Sequence, residues 1–64
     1  MAPKRSLPER ERELQALLAT PAGRAELLEL ESRYSAAGGG LRPGGASLIT
    51  YLLVYEREHG LIGR

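Results

Sequence analysis

The amino-acid sequence predicts an all-α fold, a compact three-helix domain with helices at about 8–19, 21–37 and 47–59 and a Gly-rich loop at 38–45. Three observations support this prediction. Apolar residues recur at helical spacing in each segment, residues typical of helix caps stand at the boundaries, and clustered glycines separate the last two segments.

The chain is too short for more than one core. Its 64 residues include no Cys, so neither a disulfide framework nor a thiolate metal site is available. We expect residues 1–5 to form a disordered basic arm and residues 6–64 to form a single domain. The formal net charge of +1 argues against binding to nucleic acid by bulk charge alone.

The first helix is predicted from its start signal. Ser6 and Glu9 have capping-box spacing, and Pro8 is compatible with a first helical turn. Leucines that share one stripe of this helix then follow, at Leu7, Leu14, Leu17 and Leu18. The charged run between them is typical of a solvent-facing surface.

Thr20 and Pro21 mark the boundary between the first two helices. Thr is a good N-cap, and Pro is favoured at the first helical position. Glu29 and Arg33 have the spacing of a favourable ion pair on the outside of the second helix. Its predicted inner stripe consists of Leu27, Leu28, Leu30, Tyr34 and Ala37.

The segment 38–45 contains five glycines and one proline and is predicted to be a loop, with Leu41 anchoring it to the core. Its glycine spacing resembles that of a phosphate-binding loop. However, Ala46 stands where that motif needs lysine, and a helix rather than a strand precedes it. The pattern therefore favours a plain connector over a nucleotide site.

The third segment is the most apolar part of the chain. Seven of the eight residues from Leu48 to Tyr55 are large and apolar or aromatic. A strand is the alternative, because several of these residues favour sheets. A helix is favoured because a lone strand would have no partner, and because the segment runs from a predicted cap at Ser47 to the helix-terminating residue Gly60. A helix this apolar needs cover on several sides.

Few residues are suited to catalysis or metal binding. With one His, no Cys and no Asp, the chain offers neither a nucleophile and base nor an acid and base pair, so we expect no enzyme, no catalytic residue and no cofactor. Glu56 and His59 have the Glu-x-x-His spacing of di-metal helical bundles. Such a site would need a second copy of the chain with further glutamates from Glu26, Glu29 and Glu31, and a surface His at a helix end is the simpler interpretation.

Nucleic-acid binding is the main alternative function. The second connection is too long for a helix-turn-helix, and the third helix is too apolar to read bases. Any contact with nucleic acid is predicted to use the basic residues near the N-terminus, which are Lys4, Arg5, Arg10 and Arg12.

The composition favours a non-enzymatic protein-interaction module. The third helix has more apolar surface than two thin helices can cover, which predicts a homo-oligomer or a larger protein partner. We expect a cytoplasmic protein, because the chain has no Cys, and no membrane partner, because the longest apolar run is far short of a membrane span. The predicted interaction residues are Tyr34, Leu48, Tyr51, Leu52 and Tyr55.

Overall fold

The computed structural model describes residues 4–63 and confirms the all-α, three-helix fold. Within that range the helices are α1, Leu7–Leu18, α2, Pro21–Tyr34, and α3, Leu48–Glu58. The strand considered for the third segment is not formed, because this segment is helical throughout. The bounds of α1 and α3 differ from the predicted ones by a single residue at each end.

Each of these helices begins at its predicted cap, Ser6, Thr20 or Ser47. In each case the hydroxyl oxygen of the cap accepts a hydrogen bond from the backbone N–H three residues later, at 3.3, 2.9 and 3.0 Å respectively. Ser6 also completes the capping box, since its own N–H donates to Glu9 Oε1 at 3.4 Å. Local sequence is therefore sufficient to fix where the helices start.

The end of α2 differs from the prediction. Regular helix stops at Tyr34 and is followed by one wider, π-helical turn over Ser35–Gly39, where a helix to residue 37 was expected. Gly38 closes this turn with φ of 104°. A Cβ at Gly39 would lie 2.8 Å from Cδ2 of Tyr55, so the turn fits only because glycine brings the backbone against an α3 ring.

The end of α3 follows the prediction at Gly60, which has φ of 70°. The N–H of Gly60 donates to the carbonyl of Arg57 at 3.2 Å, and that of Leu61 donates to the carbonyl of Glu56 at 2.8 Å. These two bonds form a Schellman motif. The chain then turns back, so that Ile62 is buried while Leu61 remains exposed.

The core lies where α1, α2 and α3 meet. Its buried cluster is formed by Leu14, Leu27, Ile49, Tyr51 and Leu52. The first two helices approach each other most closely at Gly23, where a Cβ would lie only 2.0 Å from the carbonyl oxygen of Leu17. The short Ala19 to Thr20 connection thus joins two helices in backbone contact.

The two ends of the described chain are joined. The N–H of Gly63 donates to the carbonyl of Arg5 at 2.7 Å, and Arg5 Nε lies 2.7 Å from Glu13 Oε2. Arg5 is therefore attached to both the C-terminal segment and α1. Residues 1–3 of the predicted arm lie outside the described residues. No helix within residues 4–63 combines the length and the apolar character needed to cross a bilayer.

Candidate interaction surface

The structure separates the predicted interaction residues into two environments. Leu52 is completely buried in the core, and Leu48 packs against the same cluster. Tyr51 and Tyr55 instead line a groove on the outside of the domain, and Tyr34 stacks beneath Tyr55. Tyr51 is only 8% exposed and belongs to the buried cluster. The members of the predicted set that another molecule can reach are therefore the partly exposed Tyr34, Leu48 and Tyr55.

This groove, here termed the α3 groove, runs between the loop after α2 and the outward side of α3. Its volume is about 370 Å³, which falls within the range typical of binding sites. The loop contributes Gly38, Gly39, Leu41, Pro43 and Ala46. The helix contributes Thr50, Tyr51, Val54, Tyr55, Glu58 and His59.

Leu41 occupies the rim of the α3 groove, which corrects its expected role. It was predicted to anchor the loop to the core, yet it is 89% exposed. Polar contacts hold the loop instead, on either side of this residue. The hydroxyl of Tyr51 donates to the carbonyl of Gly40 at 2.6 Å, and Arg42 Nε lies 3.2 Å from Glu31 Oε2. These contacts hold the backbone in place while the leucine side chain projects into solvent.

Val54 is the second exposed apolar residue of this surface, at 39% exposure. It lies on the side of α3 that neither α1 nor α2 covers, in line with Thr50 one turn earlier. A smaller groove of about 230 Å³ lies on its other flank, against Leu7 and Leu53. Its remaining walls are polar or charged and come from Glu11, Thr50 and Arg57.

Three rings are stacked beside the α3 groove, and two of them, those of Tyr55 and His59, line it. The centroids of Tyr34 and Tyr55 are 4.1 Å apart with planes inclined by 10°, and those of Tyr55 and His59 are 3.9 Å apart with planes inclined by 17°. His59 is further fixed by a 2.9 Å hydrogen bond between Nδ1 and the carbonyl of Tyr55. Stacking and this bond together give this side of the groove a defined shape.

The charged groups near the α3 groove are unevenly distributed. Glu58 lies at the end of α3 and is exposed, and within residues 4–63 no cation lies within ion-pair distance of it. Arg42 follows the lining residue Leu41 but does not line the groove itself, since its guanidinium contacts Glu31 of α2. The groove thus has a carboxylate at its helix edge and a basic residue next to its loop wall.

The basic residues considered for nucleic-acid contact do not form one free patch. Lys4 and Arg12 are exposed, and Arg5 is paired with Glu13. Arg10 faces inward and binds Glu56 through two N–H groups, with Nε to Oε1 at 2.8 Å and Nη2 to Oε2 at 3.0 Å. Arg10 therefore serves the fold, because the bidentate pair engages its guanidinium within the chain.

Glu56 is a buried carboxylate, only 2% exposed, and it binds groups from both other helices. In addition to Arg10 of α1, it accepts a hydrogen bond from the hydroxyl of Tyr34 of α2 at 2.9 Å. The bidentate bond to Glu56 holds the pKa of Arg10 above its ordinary value. Burial, followed by the bond to Glu56, raises the pKa of Tyr34 to about 12.

This arrangement bears on the Glu-x-x-His pattern. Both oxygens of Glu56 are used by Arg10 and Tyr34, while His59 stacks on Tyr55 in the α3 groove. In the part of the chain that the structure describes, no three His, Cys, Asp or Glu residues come close enough to hold a metal ion. The single chain therefore does not assemble the proposed ligand pair.

The buried position of Glu56 was not predicted from the sequence, although the spacing of residues in α3 indicates it. Ile49, Leu52 and Glu56 have the spacing i, i+3 and i+7, so the carboxylate falls on the buried stripe of α3. Arg10 and Tyr34 fall on the corresponding stripes of their own helices. One polar residue on each of the inner stripes indicates a shared buried network.

The fold and this surface define a small all-α domain with an outward-facing apolar groove. No family model matches the chain, and comparisons with curated proteins and with solved structures give no match either. The function is therefore inferred from the geometry of the chain itself.

Proposed function

We propose that the chain is a small, non-enzymatic protein-interaction module that self-associates through the outward face of α3 and the adjoining loop. One observation supports this most directly. Leu41 and Val54, which are 89% and 39% exposed, lie on the same face and flank a groove with mainly apolar walls. Apolar surface of this kind on a small domain marks an interaction site.

The packing of α3 explains why its outward face is available. Its inner stripe faces α1 and α2 through Ile49 and Leu52, and these helices cover two of its sides. The loop after α2 lines a third side of α3 but does not cover it, because the side chain of Leu41 is exposed to solvent. A second copy would cover the side that remains, and burial of apolar surface would drive the association.

Self-association suits this surface better than catalysis. Glu56 is bound by Arg10 and Tyr34, and His59 Nδ1 is bonded to a backbone carbonyl. The α3 groove has mainly apolar and aromatic walls, with one carboxylate, Glu58, and one imidazole, His59, at its helix edge. Tyrosines with one accessible side are typical anchors at protein interfaces.

Analytical ultracentrifugation of the wild-type chain over a wide concentration range tests the proposal. We expect a reversible dimer that Val54→Asp converts to a monomer with an unchanged helical circular dichroism spectrum. Leu28→Asp is the matched control, because Leu28 is 56% exposed on α2 and does not line the groove. A wild-type chain that stays monomeric at every concentration would overturn the proposal.

A further inference from the structure

We infer that the occupant of the α3 groove is Leu41 of a second copy, related by a two-fold axis, with Arg42 of each copy bound to Glu58 of the other. This inference rests on the proposed function and specifies its contact. It follows from a projecting side chain and a cavity on one face, a carboxylate at the edge of that cavity, and a basic residue that directly follows the projecting one in the sequence.

The surface is self-complementary in shape. A two-fold axis brings the same patch of both copies together, so the projecting side chain of each copy, the knob, can enter the cavity of the other copy, the hole. Leu41 is the knob, since it is 89% exposed at the rim. The α3 groove is the hole, with apolar walls that include Val54 and the ring of Tyr55.

The backbone on both sides of Leu41 is already fixed in the single chain. The residue before it, Gly40, accepts the hydrogen bond from Tyr51 at 2.6 Å, and the residue after it, Arg42, contacts Glu31 at 3.2 Å. Both neighbours are thus attached to the domain while the leucine itself faces solvent. Fixing the loop in advance reduces the ordering entropy that association would otherwise cost.

The surface is also complementary in charge. Glu58 stands at the helix edge of the groove without an ion pair to any described residue. Arg42 directly follows Leu41, so a leucine seated in the partner groove carries a guanidinium towards that edge. A guanidinium has five N–H donors, which leaves donors for a second carboxylate beside the Nε contact to Glu31.

The groove and the loop therefore select one kind of segment, a large apolar residue followed by a basic one. The sequence Leu41-Arg42 supplies this pattern on the same surface that would receive it. Two such contacts form in each dimer, one on either side of the axis, and each adds the burial of a leucine side chain to a charge-assisted pair.

Sedimentation equilibrium of full-chain variants tests this contact. One variant removes the leucine, and others reverse the charges. We expect Leu41→Asp to weaken association by ~10-fold or more, as the loss of a buried leucine implies. Arg42→Glu and Glu58→Arg should each weaken association, and the double variant Arg42→Glu/Glu58→Arg should restore it. Glu31→Gln, which weakens only the contact that fixes the loop within the chain, should weaken association less than either Arg42→Glu or Glu58→Arg.

Three outcomes separate this inference from the proposed function. Loss with each single change and recovery in the double variant supports the contact. A dimer that all of these variants leave at wild-type strength overturns the inference and leaves self-association standing. A wild-type chain that is monomeric throughout overturns both and assigns the groove to a different partner. Circular dichroism of each variant verifies folding, which the exposure of Leu41, Arg42 and Glu58 favours.

Discussion

Arg10 of α1 and Glu56 of α3 form a bidentate ion pair across the domain, with Nε to Oε1 at 2.8 Å and Nη2 to Oε2 at 3.0 Å. The hydroxyl of Tyr34 from α2 binds the same carboxylate at 2.9 Å. Three helices thus meet at one polar point beside the leucine core. Arg10 also contacts Glu13 at 3.1 Å, which extends the network to the surface.

Removal of one member of this pair should destabilise the domain strongly. We expect Glu56→Leu to lower the free energy of unfolding by about 3 kcal/mol, because it leaves a largely buried cation without its main partner. The triple variant Arg10→Met/Tyr34→Phe/Glu56→Leu should lie within about 1 kcal/mol of wild type, since it removes both charges and the hydroxyl that binds Glu56. Urea denaturation followed by circular dichroism measures both values. Equal losses in the two variants would contradict this account of the pair.

Tyr34 should couple stability to alkaline pH. Its pKa is raised from 10.0 to about 12 in the folded chain. The folded state therefore keeps a proton that the unfolded state releases between these values. The resulting stability is fully present below pH 10 and is lost as the pH rises towards 12.

Tyr34→Phe supplies the control for this pH dependence. We expect it to lower stability at neutral pH by about 1 to 2 kcal/mol, because the hydrogen bond to a charged carboxylate is lost. It should also remove the additional loss of stability between pH 10 and 12. Ultraviolet titration of tyrosinate, with denaturation across that range, measures both effects. An identical alkaline profile in wild type and variant would count against Tyr34.

Gly23 should be essential to the packing of α1 against α2. A Cβ there would lie 2.0 Å from a backbone oxygen, that of Leu17, so Gly23→Ala must push the two helices apart. We expect a loss of about 3 kcal/mol or more, comparable to severe overpacking. Gly44→Ala is the matched control, because its Cβ would meet open space. Thermal unfolding compares the two variants, and similar midpoints would show that α1 and α2 adjust freely.

Substitutions at Leu52 and Val54 should distinguish the role of α3 in the core from its proposed role in association. Leu52→Asp places an unpaired charge in the fully buried core, so the chain should lose its cooperative fold and, with it, any association. Val54→Asp changes a residue that is 39% exposed and should leave the fold intact. Amide NMR dispersion distinguishes the two results. A folded, stable Leu52→Asp chain would contradict the central position of α3.

The sequence itself determined the helices and their starts. Ser6, Thr20 and Ser47 cap as predicted because a capping hydrogen bond joins residues three apart and needs nothing from the rest of the chain. Gly60 ends α3 for the same local reason, since a left-handed residue without Cβ closes the last turn. Apolar spacing did not mark Leu52 as a core residue, because α3 is apolar on nearly every side; Leu52 was predicted as an interaction residue and is fully buried.

Only the tertiary structure decided which polar and apolar side chains are buried and which are exposed. Arg10 and Glu56 are 46 residues apart, so their pairing depends on how α1 packs on α3. Leu41 is exposed because the contacts of Gly40 and Arg42 with distant residues fix the direction of the loop. The turn after α2 brings Gly39 against the ring of Tyr55, a contact between residues that are distant in the sequence. Local hydrogen bonds are encoded within one turn of sequence, whereas burial, charge pairing and exposure arise only when all three helices are in place.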